Sequence, residues 1–212
     1  MFTPALYQDH RRLRLLTFIG VNDLHCDGSV VSGRFNARLS EFSGEKDHLL
    51  VERFVNWPDN ENAIVSFTRK YGPLHTAAKE KKEFAFALEE FREAQVYFRN
   101  LWREPQKLAS LSLPDGTLRM CGGSVTYTAS DLFKYLQCDL LTVNPDRVKV
   151  CKIEECGHPY FAAAHLKKQF CSSECQEIGH RAAKRDWWQR KGQEWLESRK
   201  EKEDADGTPK AR

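Results

Sequence analysis

Two pairs of cysteines constrain this chain more than any other feature. Cys151 and Cys156 are separated by four residues, Cys171 and Cys175 by three, and fourteen residues join the pairs. Each pair can reach around one side of a tetrahedral metal ion, and the segment between them folds back to bring the pairs together. Four thiolates suit zinc and leave no position open for water, so such a site is structural rather than catalytic. Two disulfides, or four unrelated core cysteines, are the competing readings. Disulfides are rare in reducing compartments, and the paired spacing favours metal.

The residues around the cysteines fit that reading. Val148-Lys149-Val150 alternates like a strand leading into Cys151, and Gly157 permits a tight turn after Cys156. Pro159-Tyr160-Phe161 reads as the return strand, with two aromatic rings to cover a small site. Ser172 is a good helix N-cap with Glu174 two residues on, so Cys175 falls in the first turn of a helix running to about Arg199. A cysteine-bearing hairpin followed by a cysteine-bearing helix is a treble-clef-like arrangement. His180 lies five residues after Cys175 and leaves a set of three cysteines and one histidine open.

The C-x4-C-G pattern, the aromatic strand, the lysines before Phe170-Cys171-Ser172 and the basic helix beyond resemble the CGNR-type zinc finger. That finger stands at the C-terminus of ABATE-domain proteins, a bacterial family described as transcription regulators. The likeness extends to Ser130-Asp131-Leu132-Phe133, to Asn144-Pro145-Asp146-Arg147-Val148 and to Arg69-Lys70-Tyr71-Gly72-Pro73-Leu74. The chain departs from the pattern after Cys175, where Gln176-Glu177-Ile178-Gly179-His180-Arg181 replaces Gly-Asn-Arg, and its second pair is one residue tighter. The resemblance implies a zinc-finger transcription regulator.

A length of 212 residues allows one large domain, or one domain and a small module. Hydrophobic residues make up 41 %, enough for a real core. No apolar run approaches the roughly 20 residues of a membrane span, and no hydrophobic signal core follows Met1-Phe2-Thr3-Pro4. A cytoplasmic location without membrane association is therefore expected. The net charge of +3 is too mild to announce a nucleic-acid partner, so the distribution of charge has to make that case.

The expected architecture is α+β. A mixed strand and helix domain spans residues 1–143, a zinc module with a basic helix spans 144–199, and residues 200–212 form a disordered tail. Strands are expected over Leu13 to Val21 and Arg34 to Phe42, more weakly over Leu49 to Trp57, with Asp27-Gly28 as a hairpin turn. A short helix covers Asn62 to Tyr71 and stops at Gly72-Pro73. A long helix over Thr76 to Trp102 carries Phe84, Leu88, Phe91, Ala94, Phe98 and Leu101 on one face, read as core rather than as a ligand groove. A second β section covers Leu108 to Tyr127, and Ser130 caps a helix through Leu141. Cys121 and Cys138 read as ordinary core residues.

Catalysis has no candidate. No serine sits in a nucleophile elbow, no helix carries His-Glu-x-x-His, and Gly122-Gly123 lacks the lysine and helix of a phosphate loop. Asp23, His25, Cys26 and Asp27 crowd together but read as a turn rather than a second metal site. On the helix after Cys175, Arg181, Lys184, Arg185, Trp188 and Lys191 share a side, with Trp195 extending it. Cations interleaved with aromatics suit phosphates and stacking, which makes nucleic acid, DNA above all, the expected partner. A solvated helix whose tryptophans pack back on the body is the alternative for that face, a zinc-stabilised protein-interaction module with no direct nucleic-acid contact is the alternative function, and homo-oligomerisation stays open.

Overall fold

The computed structural model describes residues 13–43, 49–75, 83–111, 116–121, 124–129 and 131–205. The fold is α+β. Strands β1 (Leu13–Asp27) and β2 (Val30–Ser43) form a long antiparallel hairpin, closed by Gly28-Ser29 as the Asp-Gly signal predicts. Gly28 sits at φ +63°, a conformation that costs a residue without Cβ nothing. The β1–β2 register slips between Ile19 and Val21 and again between Asn22 and His25. Strand β3 (Glu83–Ala87) pairs antiparallel with β2, β4 (Gly116–Cys121) pairs antiparallel with β5 (Ser124–Ala129), and β5 runs parallel to β1. The sheet order is β3-β2-β1-β5-β4.

The helices build the core. They are α1 (Leu50–Asn56), α2 (Glu61–Tyr71), α3 (Leu88–Arg103) and α4 (Leu132–Leu141). Phe54 of α1 is the hub: its ring lies 5.0 Å from Phe91, 5.4 Å from Phe67 and 5.7 Å from Phe98. Such pairs add about 0.5–1.5 kcal/mol each beyond the area they bury. The expected stripe is core throughout, since Phe84, Leu88, Phe91, Ala94, Phe98 and Leu101 are all buried. Cys138 is buried too, as expected.

Several expected elements differ. The stripe does not lie on one long helix, because Phe84 is in β3 and α3 begins only at Leu88. Phe84-Ala85-Phe86 alternates as well as it steps by four, and pairing with Gly33 and Val31 of β2 decides for the strand. Residues 76–82 of that expected helix lie outside the described residues. Leu49 to Trp57 is a helix, not a strand, with Leu50, Val51, Phe54 and Val55 inward. No side chain of its own caps it. Asp139 of α4 accepts from the Val51 N–H at 2.9 Å, and Gln95 of α3 donates to the Phe54 and Trp57 carbonyls, each at 2.9 Å. The section after Leu108 starts in a 3-10 turn (Pro105–Ser110), its first described strand is Gly116–Cys121, and residues 112–115 and Gly122-Gly123 lie outside the described residues. Asp131 caps α4, accepting from Lys134 N–H at 2.8 Å, while Ser130 lies outside them.

Candidate metal centre and basic helix

Two three-residue strands, β6 (Val148–Val150) and β7 (Tyr160–Ala162), form the cysteine-bearing hairpin, with Val148 opposite Ala162. Cys151 follows β6 directly, and its N–H donates to Pro159 O at 2.6 Å. The knuckle then turns on a bond from Cys156 N–H to Ile153 O at 3.2 Å. The chain returns through Phe170 and Cys171 into helix α5 (Ser173–Ala205). Ser172 Oγ accepts from Cys175 N–H at 3.3 Å, so the expected cap is in place and Cys175 lies in the first turn.

The four sulfurs converge. Cys156 Sγ lies 3.4 Å from Cys171 Sγ and 3.7 Å from Cys175 Sγ, and Cys171 Sγ lies 3.5 Å from Cys175 Sγ. All four ligand atoms, that of Cys151 included, lie within 4.8 Å of one another. A tetrahedron of thiolates at the zinc–sulfur bond length has edges of about 3.8 Å. A disulfide needs sulfurs about 2.05 Å apart, so the disulfide reading does not describe this cluster. The cluster can hold a metal ion. Burial and the neighbouring thiols of Cys156, Cys175 and Cys151 push the Cys171 thiol well up, and burial pushes Cys156 up. At Cys151 burial is outweighed by backbone N–H groups of Ile153 and Cys171, which hold the thiol down. A bound cation would supply the charge that lets all four ionise together.

Among the described residues no other group of three or more histidine, cysteine or acidic side chains converges in this way. His25 instead bonds Ser32 Oγ (3.0 Å) and the Asp23 carbonyl (2.8 Å), and the crowded stretch is the end of β1, paired with β2 beside its register slip, rather than the turn expected there. His180 is outside the sulfur cluster, and its ring meets the edge of Phe170 at 6.3 Å.

The cluster has a small core of its own: Cys151, Phe161 and Ala163 are buried, and Ile153 and Phe170 pack against them. Gly179 is what lets Phe170 seat on α5, because a Cβ there would come within 2.4 Å of the ring. On its other side the hairpin belongs to the main core, which includes Val148 and Tyr160. Trp102 Nε1 donates to Lys149 O at 2.9 Å, Asn56 exchanges two bonds with the Tyr160 backbone, and Ala162 N–H donates to Glu52 Oε2 at 3.0 Å. The sulfur cluster therefore sits between the body and α5.

Beyond Gly179 helix α5 stands in solvent. It continues to Ala205, so residues 200–205 are helical rather than the start of a disordered tail, and 206–212 lie outside the described residues. From Arg181 to Lys202 every residue but Gly192 is exposed. The tryptophans do not pack back on the body: Trp187, Trp188 and Trp195 are 38 %, 41 % and 41 % exposed and cluster edge to face with one another. Trp188 lies over Gly192, where a Cβ would approach within 2.3 Å of its ring. Arg181, Lys184, Arg185 and Trp188 frame a shallow depression with Gln189, and Lys191 lies at the stripe's edge outside it. Two further positions belong to this face. Arg199, whose guanidinium stacks 5.3 Å from the Trp195 ring, and Lys202 continue it. Stepping on by four from Trp195 reaches Arg199 at the end of the helix expected from sequence, and three more reach Lys202 beyond that end.

Between Arg181 and Lys202 the acids of α5 lie off the tryptophan stripe, and Arg190 shares their side. Asp186, Glu194, Glu197 and Glu201 step along the side opposite the tryptophan stripe. Asp186 is tied to Arg190 (3.1 Å), and Glu177, an acid on the stripe itself, pairs with Arg181. No described helix is long and apolar enough to cross a membrane. Comparison of the chain with protein-family models, with curated proteins and with solved structures found no match.

Proposed function

We propose that the four cysteines hold a structural zinc ion and that α5, fixed to it, presents a nucleic-acid-binding face. In this reading the chain is a zinc-dependent transcriptional regulator of the kind that the CGNR and ABATE resemblance implies, with DNA as its partner. The observation that carries the reading is the anchoring of a helix with an exposed cationic and tryptophan-bearing stripe by its first turn to the sulfur cluster. An all-thiolate donor set suits zinc, and four protein ligands leave it no open position for chemistry, so no catalytic role is proposed. Backbone phosphates reward clustered cations through counterion release, and Arg181, Lys184, Arg185 and Lys191 supply them.

Exposed Ile178 and Leu196 beside the stripe favour a second reading, a zinc-stabilised module for protein interaction. Salt separates the two. Lys184→Ala with Arg185→Ala should weaken nucleic-acid binding and flatten the log–log salt slope by about 0.9 for each duplex phosphate no longer neutralised. Zinc content and melting temperature should not change. A wild-type protein with no salt-sensitive binding to any duplex or single strand would leave the interaction reading in its place.

A further inference from the structure

We infer that the α5 face binds single-stranded nucleic acid, with Trp188 and Trp195 as base-stacking platforms and Arg199 and Lys202 extending the phosphate track. The inference rests on the nucleic-acid reading above and narrows it to one substrate class.

Three observations favour a single strand. The stripe is straight and long: Arg181 to Lys202 spans about 30 Å of helix axis. A duplex groove winds once in roughly 34–36 Å, so a straight stripe of this length leaves it after a fraction of a turn. A flexible strand can follow the stripe throughout. The stripe also offers indole surface: Trp188 and Trp195 each expose 41 % and stand seven residues apart on one face. Base stacking on aromatics is the sequence-tolerant half of single-strand binding, and a cationic track is the other. Finally, the face is one-sided. A major groove encloses a helix and brings phosphates towards the side that here carries Glu194 and Glu201, whereas a strand laid along the stripe does not. Self-pairing through this face would set the same cations against one another, so charge complementarity selects a polyanion over a second copy.

The test compares oligo(dT) with a duplex of the same length, using the zinc-loaded full chain and reading tryptophan fluorescence and anisotropy across a salt series. The expected result is quenching by oligo(dT) and affinity about tenfold above that for the duplex, with Trp195→Ala removing most of the advantage. Arg199→Ala with Lys202→Ala should flatten the single-strand salt slope by about 1.4, at unchanged helicity and zinc content. Duplex binding as tight or tighter, without quenching, overturns the single-strand inference and leaves the nucleic-acid reading standing. Equal binding of heparin, insensitive to Trp195→Ala, overturns it as a mere polyanion surface. No binding to any of the three overturns both.

Discussion

At the scale of single residues, Asp139 does a job that no local pattern announces. Its carboxylate is buried at 5 % exposure and receives the Val51 N–H, so it caps a helix nearly ninety positions away in the chain. Burial pushes its pKa up from 3.8 to about 7, against the pull of the Val51 and Leu50 N–H groups and with some help from Glu52. A carboxyl whose folded pKa lies above its unfolded value stabilises the fold most fully at low pH. That contribution is lost as pH rises from about 4 through about 7. Urea unfolding at pH 5 and pH 8 should therefore show wild type losing stability relative to Asp139→Asn as pH rises. A pH-independent difference would mean that the carboxyl does not titrate in this window. Asp139→Ala removes the acceptor altogether and should cost about 1–3 kcal/mol at pH 5, and less at pH 8, where the wild type has lost the contribution of the protonated carboxyl.

At the scale of elements, legibility in the sequence tracks how local each element's causes are. The cysteine spacing, the Ser172 cap and the Asp27-Gly28 turn are local, and the structure carries all three. Helix α1 is not local, since Asp139, Gln95 and Arg99 of other helices bond its backbone, and its short apolar run reads equally well as a strand. Phe84 is ambiguous for the same reason, because pairing with β2 decides between two periods that both fit. On α5 the cationic stripe is legible as far as Arg199, but its continuation to Lys202 needs the helix to run on to Ala205, an end that Gly207 and Pro209 signal in the sequence only if the charged run before them is read as helix. Gly192 offers a test of that helix. Gly192→Ala should raise helix stability by about 1 kcal/mol on propensity alone, yet the new Cβ would displace the Trp188 indole. Circular dichroism should show helicity held or raised, while tryptophan emission shifts and nucleic-acid affinity falls. Unchanged affinity with a shifted emission would remove Trp188 from the proposed binding face.

At the scale of the whole molecule, the cysteine cluster joins two parts that sequence alone separates. The boundary expected near residue 144 crosses packed structure, because Val148 and Tyr160 share the core with Phe54 and Phe98 and the hairpin is bonded to α1 and α3. Metal loss should then spare the hairpin strands and the α3 core and release the knuckle from Cys156 to Cys171 together with α5. The fixed direction of the exposed helix, and with it the proposed binding face, would depend on the ion. Native mass spectrometry of the purified full chain, prepared without chelator, tests that dependence at its source. One zinc per chain is expected, lost in Cys171→Ser while the core around Phe91 stays folded. A metal-free mass, or one short by the hydrogens of a disulfide among these cysteines, would contradict it.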